Sequence, residues 1–212
     1  MKLLKNILLF ALMTAASWAG ISLDIQNVDT DAGTLDIYMS NQPDCSYCED
    51  PTYNNNNYSW TDQKELCETN GSTWVVDTQL SEEECAAVPS ITETGGWWFD
   101  GSVKGFQFEL FGMTLTGISG GLAGEYLDYV SYNPATGVIL GASFGSGTIP
   151  VGEGVLTQVS FSDYTGDGIC FGTDPGNNVF SDASGQPIYA EWGACYGIVV
   201  IPGCMDDTAC NY

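Results

Sequence analysis

The 212-residue chain has no histidine and no arginine, and its four cations are all lysines: Lys2, Lys5, Lys64 and Lys104. Without imidazole there is no Ser-His-Asp or Cys-His nucleophile and no His-based zinc site. Without guanidinium there is no bidentate clamp for a phosphoryl group. Carboxylates are the one acid–base chemistry left in quantity, with 27 Asp and Glu, so the enzymatic readings narrow to a glycosidase-like acid pair. A long hydrophobic run is missing too. The apolar stretch Ile7 to Leu12 falls well short of the roughly 20 residues a bilayer helix needs.

That stretch fits another pattern. A basic start, Met1 to Lys5, a short apolar centre and the small residues Ser17 and Ala19 read as a signal peptide over residues 1–19, cut after Ala19. From Gly20 onward two lysines face 27 acids, so the formal charge moves from −23 to 2 − 27 = −25. Such a surface repels nucleic acid and anionic lipid and suits neutral partners, divalent cations or a salty medium. The expectation is a secreted protein, extracellular or at the cell surface, with no nucleic-acid partner and no membrane insertion.

Eight cysteines in an exported chain point to disulfides. They form three groups: Cys45, Cys48, Cys67 and Cys85; Cys170 with Cys195; Cys204 with Cys210. Pairing within each group is the economical expectation, with the partners inside the first group open. Cys45 and Cys48 have the CxxC spacing of a zinc site, but Cys67 and Cys85 do not repeat it.

Alternating apolar residues mark strands at Leu35, Ile37 and Met39, at Phe106, Phe108 and Leu110, and at Val155, Val159 and Phe161. Turn signals separate them, among them Asp31-Ala32-Gly33, Gly120-Gly121, Asn133 to Gly137 and Gly145-Ser146-Gly147. Adding Ile21 to Val28, Val138 to Phe144, Ile188 to Trp192 and Tyr196 to Ile201 predicts an all-β sandwich of about eight or nine strands. Residues 43–101 break the pattern with four cysteines, the polar run Asn54 to Asn57 and two helix signals. One helix runs from near Thr61 or Asp62 to Asn70-Gly71; the other opens at Ser81, whose capping partner is Glu84. This stretch reads as a disulfide-rich, partly helical insertion into a domain spanning 20–202.

The runs Gly33-Thr-Leu-Asp-Ile-Tyr-Met-Ser40, Val103-Lys-Gly-Phe-Gln-Phe-Glu-Leu110, Gly117-Ile-Ser-Gly-Gly-Leu-Ala123, Val138-Ile-Leu-Gly-Ala-Ser-Phe144 and Thr148-Ile-Pro-Val-Gly-Glu-Gly-Val-Leu156 together resemble cohesin-like modules of bacterial extracellular proteins. The resemblance implies a jelly-roll β-sandwich, related in fold to carbohydrate-binding modules, and a partner that is a polysaccharide, a dockerin-like protein or another extracellular protein. The insertion sits where the family has a short connection. The ending Gly203-Cys-Met-Asp-Asp-Thr-Ala-Cys-Asn-Tyr212 resembles the start of an acidic cysteine-containing repeat, which implies a chain that continues further.

Two groups of residues carry ligand chemistry. Asp163, Thr165, Asp167 and Asp174 fall at positions 1, 3, 5 and 12 of a calcium loop, with Gly168 at the turn position. Calcium is therefore the cofactor to consider, although Pro175-Gly176 blocks the helix that should follow, and a plain Asp/Gly hairpin turn explains the same residues. In the insertion Trp60, Trp74, Trp97 and Trp98 stand near Tyr47, Tyr53 and Tyr58 among asparagines. Rings that cover sugar faces beside amides that take hydroxyls make a saccharide platform; the same rings would equally fill a small core. No carboxylate pair is singled out for catalysis, since Glu109 and Glu125, which flank the family-like motifs, suit a strand face and a turn. The sequence thus predicts a non-enzymatic binding or scaffolding module, with a purely structural role and a carboxylate glycosidase as alternatives.

Overall fold

The computed structural model describes residues 20–55, 59–91 and 95–197, without the side chain of Trp60. Residues 1–19, read as a signal peptide, residues 203–212 with Cys204 and Cys210, read as the start of a repeat, and most of the strand expected over 196–201 lie outside them.

Strands β1 (Ile21–Asp29) and β2 (Thr34–Asn41) open the chain as an antiparallel pair. In β2 Leu35, Ile37, Met39 and Asn41 point inward while Asp36 and Tyr38 do not, as the alternation predicts. Residues 44–99 then build a small sheet of their own from β3 (Asp44–Cys48), β4 (Trp74–Asp77) and β5 (Trp97–Phe99), in the order β4-β3-β5. Helices α1 (Trp60–Thr69) and α2 (Glu82–Ala86) flank it. Ser59 caps α1 through the Asp62 N–H, and Ser81 with Glu84 forms a reciprocal capping box on α2. The three-stranded sheet was not foreseen: strands of three to five residues are too short for their alternation to stand out.

The remaining strands are β6 (Gly105–Phe111), β7 (Thr114–Ser119), β8 (Tyr129–Asn133), β9 (Val138–Ala142), β10 (Gly152–Ser162), β11 (Cys170–Phe171), β12 (Val179–Ser181), β13 (Pro187–Ile188) and β14 (Glu191–Trp192). One sheet has the order β14-β1-β2-β10-β7; the other has β13-β12-β6-β9-β8, with β11 also pairing β6. The apolar residues between them form one core, led by Ile21, Ile37 and Leu156 from the first sheet and Phe108, Ile139 and Phe180 from the second. Each such side chain contributes about 1.5–3 kcal/mol of burial.

Three sequence expectations change. In β10 a register shift between Val155 and Thr157 adds Leu156 to the buried face that Thr157, Val159 and Phe161 share, while Val155 stays only half-buried. Gly120-Gly121, read as a turn, leads into the short helix α3 (Gly121–Tyr126). The strand read over 188–192 is two: β13 belongs to one sheet and β14 to the other, so the chain changes sheets at Tyr189-Ala190. The chain leaves the body for the small sheet and returns at one place. Asn41 fastens it there, its Nδ2 donating to Gly101 O (2.6 Å) and Pro150 O (2.8 Å).

Candidate functional site

The four cysteines of the small sheet pair as Cys45–Cys85 and Cys48–Cys67, and Cys170 pairs with Cys195. The CxxC thiols are thus consumed in tying α1 and α2 to β3. Such bridges belong to an oxidising environment. A buried amide chain completes this unit. Asn54 accepts the Cys48 N–H at 2.6 Å and donates to Cys48 O and Pro89 O, both at 2.9 Å, as a strand neighbour would. Gln63 donates to Asn54 Oδ1 and accepts the Trp97 indole N–H at 2.9 Å. These bonds fix Trp97 from inside, and Trp97 and Trp98 are both half-buried. Trp74 is half-buried as well.

Three adjoining clefts run along the junction between the small sheet and the two-sheet body, and Tyr189 lines all three. It occupies this place because the change of sheet at 189–190 lifts it out of both ladders; 41% of it stays exposed. The largest cleft, of about 410 Å³, holds Trp74, Val75, Lys64, Glu68 and Glu191 beside Tyr189. A second, of about 260 Å³, adds Trp192, Pro175, Asn178 and Thr61. The third is narrow and sets Trp97 and Trp98 beside Asp44, Asp182 and Gln186. Of the tryptophans singled out in the sequence, Trp74 lines the largest of these clefts and Trp97 and Trp98 the narrow one of about 20 Å³, with Tyr189 common to both; the Trp60 side chain lies outside the described residues.

The groove is electronegative. Burial, then the Glu191 and Glu68 carboxylates, push the Tyr189 phenol above its usual range, so it remains a hydroxyl donor at neutral pH. Lys64 forms an ion pair with Glu68, one helical turn on. Tyr189, Lys64, Glu68 and Glu191 carried no motif; only the structure gathers them.

No family model, no curated protein and no solved structure matches this chain.

The residues read as a calcium loop are placed differently from a hairpin turn. Asp163, Thr165 and Asp167 lie in the crossover from β10 in one sheet to β11 in the other. Asp174 lies in the bulge between β11 and β12, where its carboxylate accepts from Gly176 N (2.9 Å) and Asn177 Nδ2 (3.5 Å). Asp163 accepts from Ser162 Oγ at 2.8 Å. Among the described residues no three acidic or cysteine groups gather as a metal cluster. Glu109 also serves this bulge, accepting from Asn177 Nδ2 at 3.0 Å.

A second feature escaped the sequence. Phe144 is 81% exposed and stands 6.2 Å, ring centre to ring centre, from Tyr129. Its loop is held by Asp128, whose Oδ2 accepts from Ser143 Oγ, Phe144 N and Gly145 N at 2.9–3.2 Å. These bonds hold the Asp128 carboxyl below its usual range. An aromatic between a serine and Gly145-Ser146-Gly147 was the available signal.

Proposed function

We propose that the chain is a secreted, non-catalytic binding module that holds a neutral polysaccharide along the Tyr189 groove. The observation that carries this reading is that three clefts share Tyr189 and are lined by Trp74, Trp97, Trp98 and Trp192 and edged by carboxylates and amides. Aromatic rings cover the apolar faces of pyranose units while acids and amides accept their hydroxyls. A groove rather than a closed pocket suits a chain-like ligand. Its carboxylates, and a formal charge of −23 on the whole chain, disfavour anionic glycans.

The non-catalytic reading rests on the sequence, which has no histidine and singles out no carboxylate pair for catalysis. In this reading the body is a jelly-roll of cohesin-like type, exported by the leader over residues 1–19. A dockerin-like or other protein partner is favoured by one different observation, the exposed Phe144–Tyr129 pair on its anchored loop.

The test is retention of the oxidised chain from Gly20 on a panel of neutral and anionic polysaccharides, with and without calcium. Tyr189→Ala and Trp74→Ala are each expected to weaken binding at least about tenfold, in line with roughly 1–3 kcal/mol for a lost stacking contact. Phe144→Ala leaves binding and stability unchanged. Calcium has no effect on binding, because Asp163, Thr165, Asp167 and Asp174 are not among the residues that line the clefts. Failure to retain any glycan overturns the polysaccharide reading, and capture of a partner protein lost in Phe144→Ala would replace it.

A further inference from the structure

Asp44 is the first residue of β3, is only 6% exposed, and has no cation against it: the ion pair found among the described residues is Lys64–Glu68. Its carboxylate is met by Ser46 Oγ at 3.2 Å and by the backbone N–H of Gly20. With so little to balance it, burial pushes the carboxyl up to about 7. Asp182 and Tyr189 are the other titratable groups in its cleft, and neither brings positive charge.

Gly20 is itself buried and clamped, its carbonyl accepting from Gln42 N at 2.7 Å. A Cβ there would stand 1.9 Å from Asp44 Oδ2 and 2.9 Å from Gln42 O, so glycine alone fits. This glycine directly follows Ser17-Trp18-Ala19, the small-residue pattern of a leader cleavage site.

We propose that cleavage between Ala19 and Gly20 supplies the missing counter-charge, the new α-ammonium of Gly20 pairing with the buried Asp44 carboxylate. A leader peptidase adds water across the Ala19–Gly20 peptide bond; Ala19 leaves with the new carboxylate and Gly20 keeps the amine, which takes up a proton. An α-amino group, with its ordinary pKa of about 7.7–8.0, is largely charged at neutral pH. The single amide N–H facing Asp44 becomes a charged group with three donors in the same place. In a chain without arginine or histidine, processing thus makes a cation where no side chain provides one. The pair joins the start of β1 to the start of β3, so maturation tightens the body and the groove-bearing sheet together.

The experiment compares three forms of the chain from Gly20 to Tyr212: free amine, N-acetylated, and extended by Ala19. At pH 7 the free-amine form is expected to have a folding equilibrium constant at least about tenfold larger than either other form, since removing one member of a buried pair is costly. In Asp44→Asn the three forms become equal. A carboxyl-carbon NMR titration reads Asp44 independently, its midpoint moving to lower pH when the amine is free. Equal stability of free and acetylated chains, or an exported protein whose N-terminal mass places the first residue anywhere but Gly20, overturns the proposal.

Discussion

At Gly96 the backbone runs against a disulfide: an added Cβ would lie 2.5 Å from Cys85 Sγ and 2.6 Å from Cys45 Sγ. Gly96→Ala is therefore expected to destabilise the small sheet by about 1–3 kcal/mol and to leave reactive thiols. Denaturation and a thiol titration read both. Asp44 sets a pH dependence. In a chain whose Gly20 nitrogen is acylated, its folded pKa of about 7 lies above the ordinary value of 3.8. The protonated form is then the one the fold favours, so its contribution is present below about pH 4 and is lost as pH rises to 7. Stability of the acetylated chain should fall across that window by on the order of a few kcal/mol, and Asp44→Asn should flatten the fall. With a free amine the slope in this window is smaller.

Helices of ten and five residues do not stand alone in water. Here α1 and α2 depend on the bridges, which span 19 residues for Cys48–Cys67 and 40 for Cys45–Cys85. Loop-closure entropy values them at about 3 and about 4 kcal/mol. Reduction is expected to melt the small sheet and its helices, and to abolish glycan retention, while the two-sheet core remains folded; circular dichroism and near-ultraviolet spectra separate the two events. The elements readable in advance were those with strong local signals: the alternation in β2 and β6, and the capping box of Ser81 and Glu84; the start of α1, read near Thr61 or Asp62, lies at Trp60 behind the cap Ser59. Elements governed by distant contacts were missed, as β11 was, or merged, as β13 and β14 were into one strand over 188–192. The two-residue strands β11, β13 and β14 exist only because β6, β12 and β1 are there to pair with. For the site, the tryptophans were visible as types, but Tyr189 became their common neighbour only through the change of sheet at 189–190.

For the whole molecule the charge imbalance governs behaviour in solution. From Gly20 on, two lysines oppose 27 acids, and mutual repulsion works against the compact state. Raising salt from about 0.01 M to 1 M shortens the screening length from about 30 Å to 3 Å. The melting temperature should therefore climb by several degrees over that range, with sodium chloride and potassium chloride acting alike; calorimetry tests this. The junction held by Asn41 has a separate consequence. The two ends of the 43–100 excursion meet as antiparallel neighbours, Asp44 opposite Phe99, with Gly101 bonded to Asn41 across the gap. A segment whose ends already touch is a cartridge: a host that closes the same gap with a short turn keeps its core, and one that accepts a different cartridge acquires a new recognition surface without redesigning the fold.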